Sequence, residues 1–93
     1  FQSVNRDFAF VVDIEVPASK LIAAVRAAEK KLVSDVSLFD VFSGEVLGEG
    51  KKSVALSVTL QPVQATMTDD EIDGVAARII ANVEKQTGGA LRG

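Results

Sequence analysis

Lys52-Ser53-Val54-Ala55-Leu56-Ser57-Val58-Thr59-Leu60-Gln61 is the stretch whose reading decides the fold. Val54, Leu56, Val58 and Leu60 alternate with Ser53, Ala55, Ser57 and Thr59, so a strand here buries one face and leaves the other small and polar. Pro62 cannot donate to a ladder and ends it. Downstream, Thr68-Asp69-Asp70-Glu71 has the form of a capping box, with Met67 and Ile72 placed to staple the helix entry. Ile72, Val75, Ala76, Ile79, Ile80 and Val83 then recur at helical spacing as far as Gly88-Gly89, where glycine supplies a left-handed cap. A short strand from Gly89 to Arg92 closes the chain.

Upstream, Gly44, Gly48 and Gly50 punctuate a flexible connection, and a strand is expected from Val36 to Phe42. Strict alternation there sets Phe39 and Val41 on one face and Leu38, Asp40 and Phe42 on the other. Before it, Pro17 suits the first turn of a helix. Leu21, Ile22, Val25, Ala28 and Leu32 continue that helix at core-facing spacing to about Leu32. Arg6 to Ile14 alternates again, with Phe8, Phe10, Val12 and Ile14 inward. The order is β-α-β-β-α-β, the split βαβ arrangement of ferredoxin-like folds. The expected class is α+β, a four-stranded antiparallel sheet with two helices on one face, formed by residues 1–93 as a single domain. The opposite sheet face is expected to stay open, carrying Ala9, Val11, Leu38, Asp40, Phe42, Ser53, Ala55, Ser57 and Thr59.

Composition narrows the chemistry. With 93 residues, 47% hydrophobic and 25% charged, the chain is an ordinary globular mixture rather than a disordered one. His, Cys, Trp and Tyr are all absent. Thiol nucleophiles, disulfides, Cys/His metal sites and imidazole acid–base chemistry are thereby excluded. No apolar run approaches the ~20 residues of a membrane helix, and no leader pattern opens the chain, so a soluble segment with no membrane partner is expected. The first residue is Phe1 rather than Met, which fits a piece of a longer polypeptide. The net charge of −3 argues against non-specific nucleic-acid binding, which depends on phosphate neutralisation.

No constellation of nucleophile and base is legible, so catalysis by this chain alone is not expected. Gly50-Lys51-Lys52-Ser53 lacks the earlier glycine and the helix of a phosphate loop. Asp69, Asp70, Glu71 and Asp73 complement a helix N-terminus rather than hold a metal. The open face is more informative. A four-stranded sheet backed by helices is a geometry used to read single-stranded RNA, with an exposed aromatic stacking on an unpaired base. Phe42 is the aromatic on that face, and Asp40 beside it can accept two hydrogen bonds from the Watson–Crick edge of guanine. Arg92, Lys51 and Lys52 are cations at its margin. The same residues also fit a modest Asp40–Arg92 surface pair, with Phe42 packed on another protein. Spacing does not separate the two.

Taken together, Arg6-Asp7-Phe8-Ala9-Phe10-Val11-Val12, Leu38-Phe39-Asp40-Val41-Phe42-Ser43-Gly44, Gly50-Lys51-Lys52-Ser53, Thr66-Met67-Thr68-Asp69-Asp70-Glu71 and Ala90-Leu91-Arg92 are a pattern. In it the whole chain resembles the ferredoxin-fold anticodon-binding domain that ends the β chain of bacterial-type phenylalanyl-tRNA synthetases. The resemblance implies a cytoplasmic module that grips the anticodon loop of phenylalanine tRNA. It implies that a parent (αβ)2 enzyme does the chemistry, its α subunit activating phenylalanine with ATP and magnesium, while this domain itself needs no cofactor. Its partners would be that tRNA, the rest of the β chain and the α subunit. A guanine at the first anticodon position would stack on Phe42, and Ala9, Asp40, Ser53 and Arg92 would approach its edge. The family commonly has Tyr in place of Phe42, so stacking is kept without a phenolic hydrogen bond. It commonly has Pro in place of Gln2, and Gln61 to Ala65 lacks the charged residues many members carry around that loop. The competing expectation is a ferredoxin-like regulatory or interaction domain that binds a small ligand near Gly44 to Gly50.

Overall fold

Alternation and helical spacing are realised in a computed structural model that describes residues 2–92. Phe1 and Gly93 lie outside the described residues. The elements run β1 (Val4–Asp13), α1 (Ala18–Ala28), β2 (Val33–Phe42), a 3-10 turn (Glu45–Leu47), β3 (Lys51–Leu60), α2 (Asp69–Thr87) and β4 (Ala90–Leu91). The strands form one antiparallel sheet in the order β2-β3-β1-β4, the expected ferredoxin-like topology. Phe8, Phe10 and Val12 of β1 and Val54, Leu56, Val58 and Leu60 of β3 point into one core. Leu21, Ala24 and Val25 of α1 and Val75, Ile79 and Val83 of α2 fill it from the other side, so both helices cover the same face. Fifteen buried side chains in one contiguous cluster make the hydrophobic effect the dominant stabilising term.

The helix termini follow local chemistry. Thr68 Oγ1 accepts from the Glu71 amide at 3.2 Å, and Glu71 Oε1 accepts from the Thr68 amide at 2.9 Å. That reciprocal pair satisfies two otherwise orphaned donors. The backbone hydrogen bond from Thr68, reinforced by its side chain, holds the Glu71 carboxyl below the usual glutamate range. Gly88 ends α2 with φ of 72°, the left-handed conformation that glycine adopts without penalty. Pro17 is the cap of α1 itself, one residue ahead of its expected place in the first turn. α1 also stops at Ala28, short of Leu32. Val33 has to pair with Leu60, so the chain leaves the helix early and Leu32 reaches the core from the turn instead. A side-chain bond from Asn82 to the Ala24 carbonyl, 2.7 Å, ties the helices together.

The largest departure lies in β2. It begins at Val33 rather than Val36 and carries two irregularities, between Val33 and Asp35 and between Leu38 and Asp40. Each inserts a residue without a partner, which breaks strict alternation. The second sets Leu38 opposite Leu56, a core-side residue, so Leu38 leaves the open face where strict alternation would put it. Asp40 and Phe42 lie opposite Ala55 and Ser53 and keep the open face. Ile14 is likewise not inward. It follows the end of β1 and is 54% exposed.

Candidate nucleic-acid interface

The register sorts the open face into rows. Asp40 of β2, Ala55 of β3 and Ala9 of β1 are successive partners, and the Arg92 amide donates to the Ala9 carbonyl at 2.6 Å, which extends that row to the last segment. The neighbouring row is Phe42, Ser53, Val11 and Ala90. Strands spaced by about 4.8 Å therefore bring residues from both ends of the sequence into one patch. Small side chains at Ala9, Ser53 and Ala55 keep its middle low, while Phe42 stands at one side, 40% exposed.

Arg92 crosses this floor. Its Nη1 donates to Ser53 Oγ at 3.4 Å, and its Cζ lies over the Phe42 ring, 5.8 Å from the centroid. A guanidinium over an aromatic face is held by the ring quadrupole and by stacking. Ser53, on the open face, is 4% exposed, the one buried polar side chain among the described residues, and this donor satisfies it. Ala9 and Arg92 thus share a row with Asp40, and Phe42 and Ser53 lie in the adjacent row of the same patch. Among the described residues Asp40 has no ion-pair partner, since Arg92 is committed to Ser53 and Phe42. Both oxygens of an exposed carboxylate beside an aromatic ring are therefore available as acceptors.

The two lysines are placed differently. Lys51 pairs with Asp13 across the β1–β3 ladder, which offsets its charge. Lys52 is opposite the buried Val12 and so is turned to the helix side, not the open face. Arg92 is consequently the cation that the structure sets on the patch. The open face beyond Ser57 is polar, with Thr59 Oγ1 donating to Asn5 Oδ1 at 2.8 Å. Near Gly44 to Gly50, a shallow depression of about 500 Å³ is lined by Ile14, Ser43, Glu49 and Lys51 among others. No cluster of three or more metal-ligating side chains occurs among the described residues, and no described helix is long and apolar enough to cross a membrane.

Sequence reading placed Gly44 in the connection but not against Phe42, whose ring tip lies where a side chain at 44 would start. The signal is a glycine two residues after an exposed aromatic at a strand end.

The chain is 55% identical over 93 residues to the phenylalanine–tRNA ligase beta subunit of Mesorhizobium japonicum, covering all of this chain and 12% of that protein. It is 53% identical over 93 residues to the protein of the same name from Brucella abortus, and 54% over 92 residues to that of Rhodospirillum rubrum. In each case the match spans 12% of the relative's length. The model of the ferredoxin-fold anticodon binding domain matches residues 1–92. A match over nearly the whole chain establishes that this chain belongs to the ferredoxin-fold anticodon binding domain family.

Proposed function

We propose that this chain is the tRNA-reading module of a phenylalanine–tRNA ligase β subunit, and that its open sheet face takes one unpaired base of the anticodon loop of phenylalanine tRNA. The observation that carries the reading is the convergence of Phe42, Ser53, Ala9 and Arg92, drawn from β2, β3, β1 and the end of β4, beside an unpaired Asp40. The base stacks on Phe42, a contact of about 1–3 kcal/mol. Asp40 accepts from the two donors on the Watson–Crick edge of guanine, a pair that cytosine and uracil do not present. Arg92 spends one guanidinium nitrogen on Ser53 and offers its remaining donors to a flanking phosphate, while its backbone amide holds the floor at Ala9.

With a net charge of −3, the domain attracts RNA weakly at long range. Affinity from this face is local, and most of the tRNA affinity belongs to the parent. In that parent, an (αβ)2 assembly acting in the cytoplasm, phenylalanine activation with ATP and magnesium takes place in the α subunit. Chemical-shift mapping with the anticodon stem-loop tests the reading. Perturbations at Ala9, Asp40, Phe42, Ser53 and Arg92 are expected. Shifts confined to the helix face, or heat from free phenylalanine with none from the stem-loop, would instead favour a small-ligand domain using the Gly44–Gly50 depression.

A further inference from the structure

We propose that Gly44 is a positioning residue for Phe42, setting the ring at the angle at which a base stacks; the inference rests on the base-stacking reading above. A Cβ at position 44 would lie 3.1 Å from Phe42 Cζ and 3.7 Å from both Cε atoms. Unstrained carbon pairs sit at about 3.5–4.0 Å, so any side chain at 44 presses on the tip of the ring. Neither backbone is free to give way. The Gly44 carbonyl accepts from the Leu47 amide at 3.0 Å, closing the Glu45–Leu47 turn, and Phe42 is the last residue of β2, opposite Ser53. The ring is the part that moves.

Gly44 is not among the glycines with positive φ, which are Gly48, Gly50 and Gly88. Alanine at 44 therefore carries no backbone strain, and its effect is confined to the methyl group. A displacement of a few tenths of an ångström tilts a ring that also carries Arg92 over it at 5.8 Å from the centroid. Stacking and the edge contacts of Asp40 depend on one shared geometry. Small misplacement of a positioned group is costly out of proportion to its size.

The test is a double-mutant cycle in the full-length protein assembled with its α subunit, reading the Kd for phenylalanine tRNA. Gly44→Ala is expected to weaken binding ~3- to 10-fold, a part of what the loss of a stacking partner costs, and to leave the thermal midpoint unchanged. Phe42→Ala weakens it more. In the Phe42→Ala background, Gly44→Ala is expected to be silent, because the methyl no longer has a ring to push. Loss in Phe42→Ala with none in Gly44→Ala overturns the inference and leaves base stacking in place. An equal loss from Gly44→Ala in both backgrounds also overturns it, since the effect then bypasses the ring. If neither single variant weakens binding, the base-stacking reading fails and the inference falls with it.

Discussion

Gly89→Ala should force either β4 or the Val12 side chain out of place while sparing the rest of the fold. An alanine Cβ at this position would fall 2.5 Å from Val12 Cγ1, 2.9 Å from the Val11 carbonyl oxygen and 3.1 Å from Thr87 Oγ1. Val12 is 1% exposed and packed in the core, so turning it aside would overfill a closed space at about 1–3 kcal/mol. Val11 belongs to β1, which is held by β3 on one side, and its backbone is fixed. Lifting β4 instead gives up the Arg92 amide bond to Ala9, 2.6 Å, and the Leu91 amide bond to Glu84 Oε2, 3.1 Å. At ~0.5–1.5 kcal/mol each, that route costs ~1–3 kcal/mol as well. For a domain of this size the melting temperature should fall by roughly 4–24 °C. Circular dichroism measures the midpoint, and amide exchange at Leu91 and Arg92 shows which route was taken. Gly88→Ala is the contrast. Its φ of 72° makes alanine strained, yet no atom lies within 4 Å of the added Cβ, so β4 should stay docked and Arg92 protected. A Gly89→Ala midpoint within about a degree of the parent, with unchanged exchange at Arg92, would refute the steric reasoning; the midpoint shift itself follows from the size scaling of unfolding entropy.

Replacing the first anticodon guanine by inosine, which lacks the exocyclic amine, should weaken stem-loop binding ~10-fold or more, the worth of a hydrogen bond to a charged acceptor. Asp40→Ala should abolish the guanine preference, as titration calorimetry of both stem-loops would show. Leu21→Ala, at a side chain with 0% exposure, should cost ~2–5 kcal/mol in urea unfolding. Thr68→Ala removes the acceptor for the Glu71 amide and should cost ~0.5–2 kcal/mol. Because the Glu71 carboxyl is held below its usual range, its contribution is complete above the ordinary glutamate range and is lost as pH falls through and below it. The Thr68 amide that donates to this carboxyl survives in Thr68→Ala, so Glu71→Gln, which removes the titrating group, is the variant that should flatten the acid limb of the stability–pH curve, and an unchanged limb would contradict this.

Elements with one simple period are legible in the amino-acid order. β3 alternates without interruption, α2 carries its own start and stop in the Thr68 capping box and at Gly88, and their succession implies the sheet. β2 is only half legible. Its two bulges, unreadable as periodicity, move its start to Val33 and carry Leu38 to the core side. Asp40 and Phe42 keep the expected face because they lie beyond the second bulge and remain in register with Ala55 and Ser53. The end of α1 escapes periodicity for a comparable reason, since pairing of Val33 with Leu60 overrides a helical pattern that runs on to Leu32.

Residue order carries the architecture, the absence of thiol and imidazole chemistry, and the open face apart from Leu38, because periodicity and residue type are local properties. Tertiary structure alone decided how those residues meet. Antiparallel pairing brought Arg92 beside Ala9 and let its side chain reach Ser53 and Phe42, which freed Asp40 from the ion pair that spacing equally allows. It also turned Lys52 away and bound Lys51 to Asp13. Which charges are spent within the fold and which are left for a ligand depends on distances between strands remote in sequence, and these exist only once the sheet has formed.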